Sequence, residues 1–194
     1  FNKGEIQKTF SSNSNWPYDW SAYVTYLPIT DANFQDVVNL WFNDQATAIF
    51  AYGHIRDWDV SQVTDMTEAF MNRTAFNEDI SGWNVSNVTM MNRMFKGAVS
   101  FNQPIGDWDL SSVRWMGSMF FGATSFNQPI GDWNVSSARD MNHVFARASS
   151  FNQPIGDWNV SSATKLHHTF FEAVSFNQSI AEWNVSSVTD MSEM

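Results

Sequence analysis

The chain of 194 residues carries a formal net charge of −10, with 43% hydrophobic residues and no cysteine. The acidic balance excludes nucleic acid as a partner, because phosphates require Lys/Arg patches, and works against anionic membrane surfaces. Without cysteine there are neither disulfides nor thiolate metal sites, and no apolar run reaches the length of a membrane span.

Residues 1–20 show no sustained period, and Ser11-Ser-Asn-Ser-Asn-Trp-Pro17 is turn and linker chemistry. Residues 1–28 therefore read as an N-terminal arm or linker. It is either a strap on the end of the fold or an arm offering Trp16, Tyr18 and Trp20 to a partner. Tyr23 to Leu27 spells a short strand. Phe34, Val37, Val38 and Trp41 then fall at i, i+3, i+4 and i+7, one apolar face of a helix that Thr30 or Asp31 would cap. A second helical stretch, Ala46 to Tyr52, ends at Gly53, a suitable C-cap. Residues 29–53 read as a helical N-terminal cap, the atypical end unit that a stacked array requires.

From residue 54 the chain repeats itself. Trp58, Trp83, Trp108, Trp133, Trp158 and Trp183 recur every 25 residues, and Phe76, Phe101, Phe126, Phe151 and Phe176 keep the same phase. A fixed period in this range means a stacked array, here about six repeats over residues 54–194. Columns of Ile (Ile80, Ile105), Val (Val85, Val135), Met (Met91, Met141) and a second Phe set (Phe95, Phe145) supply the interior. Val88, Met91, Met94, Phe95 and Ala98 have the spacing of a short helix, while Asp107 to Ser111 alternates like a brief strand. The predicted fold class is α/β, a solenoid of short parallel strands and short helices behind a helical N-terminal cap. Right-handed winding is the default for such crossovers. The repeat pattern stops inside a helix pattern at Met194, so the array reads as truncated there.

The words Phe-Asn-Gln-Pro-Ile-Gly-Asp-Trp-Asn-Val-Ser-Ser in the Trp158 repeat, with Val-Thr-Asp-Met closing the Trp183 repeat, resemble the repeat of BspA-like leucine-rich-repeat surface proteins. The stretch from Ile29 to Ser61 resembles the leader that precedes such arrays, and the resemblance covers residues 29–194. It implies a leucine-rich-repeat-like solenoid that is extracellular or attached to the cell surface and used for adhesion or protein contact. It carries no catalytic residues to transfer.

Two groups of residues are candidates for chemistry. Asp57, Asp107, Asp132, Asp157 and Glu182 precede the tryptophans, and stacked carboxylates must be solvated, hydrogen-bonded or bridged by a cation such as Ca²⁺. The residues after the tryptophans, such as Asp109 and Asn134, read as side chains that satisfy turn backbone. The second group breaks the repeat: Arg93, Lys96, Arg114, Trp115, Phe121, Arg139, His143, Arg147, Lys165, His167, His168 and Phe171. Seven of the eight basic residues after position 52 lie between the Ser turn and the next Phe-Asn, which makes a basic, aromatic side opposite an acidic one. Of these, Arg93, Arg114, Trp115, Phe121, Arg139, His143, Arg147, Lys165, His168 and Phe171 are the binding candidates; the plain alternative is an ordinary solvated surface. His143 and His168 share a column, but no metal-binding spacing such as His-Glu-x-x-His occurs.

No catalytic motif emerges, so the expected function is a non-enzymatic protein-binding or adhesion module. The alternatives are a structural subunit of a larger complex and a cation-stabilised solenoid that binds glycan. Six glycosylation sequons, at Asn72, Asn84, Asn87, Asn134, Asn159 and Asn184, arise mostly because Asn-Val-Ser belongs to the repeat.

Overall fold

The computed structural model describes residues 25–194. Trp16, Tyr18 and Trp20 lie outside the described residues, as does the start of the stretch read as a strand at Tyr23.

Two helices open the described chain, α1 over Phe34–Asn43 and α2 over Gln45–Tyr52. The amphipathic spacing works as expected, with α1 burying Phe34, Val37, Val38 and Trp41. Trp41 meets Trp58 edge-on at 5.9 Å, and Phe42 packs against Phe70 and Phe76. The helix thus covers apolar surface that the first coil would otherwise expose. Asp44 caps α2, accepting from the Thr47 amide at 3.1 Å, and the helix stops at Gly53, whose φ of 82° suits a residue without a Cβ.

Neither Thr30 nor Asp31 is the N-cap of α1; Asn33 holds that place. Asp31 faces the repeats instead. Its carboxylate accepts from the Thr64 amide at 2.7 Å, the Thr64 hydroxyl at 2.6 Å and the Asp65 amide at 3.2 Å. Further along, the matching amides donate to the preceding coil: Thr89 to the Thr64 carbonyl at 2.8 Å and Arg114 to the Thr89 carbonyl at 2.9 Å. Asp31 therefore stands in for a carbonyl of a preceding coil. Burial would raise its pKa, but the hydrogen bonds from Thr64 and Asp65 outweigh burial and hold it below the ordinary value. A carboxylate whose folded pKa is depressed stabilises the fold above its unfolded pKa, about 3.9, and loses that contribution as pH falls through the folded value. Asp31→Asn should therefore lower stability at pH 7 by about 1 kcal/mol, the group being largely exposed, and flatten the loss of stability below about pH 4. Urea titrations at pH 7, 4 and 2.5 check this.

The repeats form a stack of 25-residue coils, named here coils 1–6 by their tryptophans from Trp58 to Trp183. They are not the expected α/β solenoid of parallel strands and helices. Among the described residues, no helix follows a short 3-10 turn at Ile55–Asp57. Parallel pairing among the described residues is confined to single bridged residues, Thr30 with Gln62 and then in turn Asp65, Met90, Trp115, Asp140, Lys165 and Asp190.

The helix fails for a conformational reason. Arg93 (φ 56°) and Gly97 (φ 68°) are left-handed, as are Ser118 and Gly122, His143 and Arg147, and His168 and Glu172 at the same places. An L-residue pays about 1–2 kcal/mol for that conformation, so something must offset it. The amides of Met91, Arg93, Phe95 and Gly97 donate across to the carbonyls of Trp115, Gly117, Met119 and Phe121. The intervening amides of Met94, Lys96 and Ala98 fold back onto Met91, Arg93 and Phe95. An α-helix would keep all these bonds within its own segment. The result is a ribbon of alternating turns that satisfies backbone groups and ties coil to coil.

The strand expected at residues 107–111 fails because its amides bond within the coil, Trp108 to the Ile105 carbonyl at 3.2 Å and Ser111 to Asp109 Oδ1 at 2.9 Å. The indoles tie each coil to the one before. The Trp133 indole N–H donates to the Ile105 carbonyl at 3.0 Å, Trp158 to Ile130 at 3.0 Å, and Trp183 to Ile155 at 3.0 Å. Polar columns add further staples between coils: the amide of Asn127 donates to Asn102 Oδ1 at 2.9 Å, and that of Asn152 to Asn127 Oδ1 at 2.9 Å. A Cβ at Gly131 would lie 2.7 Å from the Pro154 carbonyl oxygen, so that turn approaches its neighbour closely only because it has none. Inside, Phe120 stacks on Phe126 at 4.0 Å within its coil and on Phe95 and Phe145, at 5.5 and 5.7 Å, across coils.

Candidate functional site on the turn ribbon

The ribbon sends Met116, Met119, Phe120 and Ala123 into the core and leaves Ser118, Phe121 and Gly122 at the surface. The matching places hold Arg93, Lys96 and Gly97 in coil 2, His143, Ala146 and Arg147 in coil 4, and His168, Phe171 and Glu172 in coil 5. Register alone brings these side chains together, since each coil lies on the last with a 25-residue offset.

Phe121 is the centre of the arrangement. Lys96 Nζ lies 5.1 Å and Arg147 Cζ 5.7 Å from its ring centre, and the His143 ring is 6.2 Å away. Each cation over an exposed ring contributes about 0.5–1 kcal/mol, enough to hold Phe121 half-buried at the surface. Arg147 is also paired with Glu172, Nε to Oε2 at 2.7 Å. His143 stacks flat on His168 at 4.7 Å, and His168 meets Phe171 edge-on at 5.3 Å. Lys96, Phe121, His143, Arg147, His168 and Phe171 thus make one strip of rings and cations running over coils 2–5.

The other candidates are placed apart from these contacts. Arg93 is turned to an ion pair with Glu68. Arg114 and Arg139 are exposed on the column of amides that donate backwards, while Trp115 and Lys165 are bridged residues, Trp115 being 38% exposed. None of these four enters an ion pair among the described residues.

His167 was legible only as a residue that breaks the repeat; its ring completes the cluster, edge-on to His143 at 4.9 Å and to His168 at 5.6 Å. Coil 6 meets these rings with carboxylates. His168 Nε2 lies 3.1 Å from Glu193 Oε2, and His167 Nδ1 is 3.5 Å from Asp190 Oδ2. Both are charge contacts without hydrogen-bond geometry, and the Nδ1 atoms of His167 and His168 are buried without a hydrogen-bond partner. Burial, together with charge on His167 and His168, pushes the His143 pKa down against the opposing pull of Asp140. The Ser192 amide and hydroxyl hold Asp190 below the usual carboxylate range.

The acidic column is arranged differently from the Ca²⁺ ladder that the sequence allowed. Asp57, Asp107, Asp132, Asp157 and Glu182 are all exposed, and they are absent from the set of ligand side chains that could share one ion among the described residues. The residues after the tryptophans close turns: Asp109 Oδ1 accepts from the Ser111 amide at 2.9 Å, and Asn134 Oδ1 from the Ser136 hydroxyl at 2.7 Å. At Asp59 and Asp109 the following serine's hydroxyl and amide lower the pKa. A hollow of about 630 Å³ lies at the coil 6 end, lined by Phe170, Phe176, Ile180, Trp183, Met191 and Met194 among others. Its lining also includes Gln178 and carries no acid, base or nucleophile.

These features define a coil-stack protein with one individualised face. Residues 36–148 and 129–194 match the family described as Mycoplasma protein of unknown function, DUF285, and the chain belongs to that family. No curated protein and no solved structure matches it. No helix among the described residues is long and apolar enough to cross a membrane.

Proposed function

We propose that this chain is a non-enzymatic binding module, displayed at the cell surface or outside the cell, that holds a protein partner on the ribbon strip. One observation carries the reading: the repeat is broken in consecutive coils at positions that stack into a single strip of Lys96, Phe121, His143, Arg147, His168 and Phe171. Stacking itself does not call for them, since the Phe121 column holds Lys96 in one neighbouring coil and Ala146 in the other. Arg and aromatic side chains are favoured interface anchors, and cations beside rings suit a partner that presents carboxylates next to apolar groups. The resemblance of the repeat to BspA-like surface proteins supports the location and the contact role.

The test is an affinity capture from the native source with quantitative mass spectrometry, comparing the wild type with Phe121→Ala/Arg147→Ala. Both side chains lie at the surface, so the double variant should keep its melting temperature to within a few degrees. It should lose the specific partner by at least about tenfold, the loss of one modest hot spot. Equal capture by the two proteins would contradict the reading. A partner held in fixed stoichiometry by another face would replace it with the structural-subunit reading.

A further inference from the structure

The His143, His167 and His168 cluster has a composition and geometry that partner binding does not explain. One ring nitrogen from each of the three lies within 4.8 Å of the others. All three depart from their columns, where Asn92, Gly117 and Asn142 precede His167, and Glu68, Arg93 and Ser118 precede His143 and His168. Imidazoles so close are poor neighbours once protonated, because like charges then face one another. As neutral rings each offers one lone-pair nitrogen, which needs a hydrogen-bond donor or a metal.

The carboxylate contacts and the unpartnered nitrogens say which atoms are ready. His168 directs Nε2 at Glu193 and leaves Nδ1 buried with no partner. A carboxylate on one imidazole nitrogen fixes the tautomer that frees the other, the usual outer-shell arrangement of a metal-bound histidine. His167 likewise has a buried Nδ1 without a hydrogen bond, beside Asp190. Nitrogens bound tetrahedrally to Zn²⁺ at about 2.0–2.1 Å sit about 3.3 Å apart, so the rings need to close by no more than about 1.5 Å.

We propose that His143, His167 and His168 form a binding site for a divalent transition metal of the Zn²⁺ class, staple coil 4 to coil 5, and leave a fourth coordination position open. Imidazole ligands suit Zn²⁺, Cu²⁺ and Ni²⁺ and exclude Ca²⁺ and Mg²⁺, which take oxygen. The site uses no carboxylate of the exposed acidic column.

The test uses the whole chain without a histidine tag, stripped of metal by a chelator, and titrated with ZnCl₂ by calorimetry. One Zn²⁺ should bind per chain and raise the melting temperature, and Ca²⁺ at the same concentration should do neither. Co²⁺ should give the intense visible bands of a tetrahedral site, a readout independent of stability. His143→Ala and His168→Ala should abolish stoichiometric binding, while His54→Ala, remote from the cluster, retains it. Glu193→Gln should weaken binding by about 10–100-fold, as removal of an outer-shell carboxylate does. Absence of Zn²⁺ binding by the wild type, or binding that survives His143→Ala and His168→Ala unchanged, would overturn the proposal. Both variants are surface changes, and their melting temperatures without metal show that the fold is intact.

Discussion

Phe145→Ala is expected to lower the unfolding free energy by about 3–5 kcal/mol, the largest single effect of any substitution considered. Phe145 is fully buried. Its ring stacks on Phe151 at 3.9 Å within its own coil and lies 5.7 Å from Phe120 and 5.9 Å from Phe170 in the coils on either side. Truncation removes the transfer free energy of a whole ring and leaves a cavity that three flat neighbours cannot fill without breaking their own stacks. Because each coil touches only its neighbours, the damage should localise. Urea unfolding should shift to a lower midpoint, and amide exchange should rise first in the coils that contain Phe120, Phe145 and Phe170. A loss below about 1 kcal/mol would show that the Phe columns do not carry the stack.

Trp133→Phe is expected to cost about 1–3 kcal/mol, although it replaces one buried aromatic residue with another. Loss of the indole N–H, which meets the Ile105 carbonyl at 3.0 Å, leaves that buried carbonyl with the Trp108 amide at 3.2 Å as its remaining donor. A lost intramolecular hydrogen bond costs about 0.5–1.5 kcal/mol, and the smaller ring leaves a cavity that adds a comparable amount. Both contributions belong to the interior, so a substitution at the surface should cost less. Thermal and urea unfolding of Trp133→Phe beside Phe121→Ala separates the two situations. The first should be clearly destabilised, and the second, at the surface, should change by no more than about 1 kcal/mol.

Burial was legible in the sequence and local conformation was not, for a specific reason. Met91, Met94, Phe95 and Ala98 are all fully buried, as the helical spacing predicted. A ribbon that reverses every four residues places the same positions inward as a helix of 3.6 residues per turn, so apolar periodicity cannot tell them apart. The difference lies in φ at Arg93 and Gly97 and their counterparts. Only Gly97 and Gly122 hint at it, because Arg147 and Glu172 fill their place in other coils and no glycine stands at the place of Arg93, Ser118, His143 and His168. The strand reading failed similarly: Trp108 and Leu110 do point to one buried side, but the amides of Trp108 and Ser111 bond to the Ile105 carbonyl and Asp109 Oδ1 of their own coil instead of a neighbouring strand. α1 was legible because its apolar face and length agreed. At the site, the shared column of His143 and His168 was visible in the spacing. The convergence of His167 was not, since it depends on how adjacent turn residues direct their side chains.

The claim at the centre of this account is that the repeated columns build the stack and the broken ones on the ribbon meet the partner. Site-specific photo-crosslinking in the native source tests it most directly, with a photoreactive phenylalanine analogue placed in turn at Phe121, Phe171, Asp132 and Asp157. Crosslinks to one protein from Phe121 and Phe171, and none from the exposed acidic positions Asp132 and Asp157, are predicted. Crosslinks from Asp132 and Asp157 with silence at Phe121 and Phe171 would contradict it.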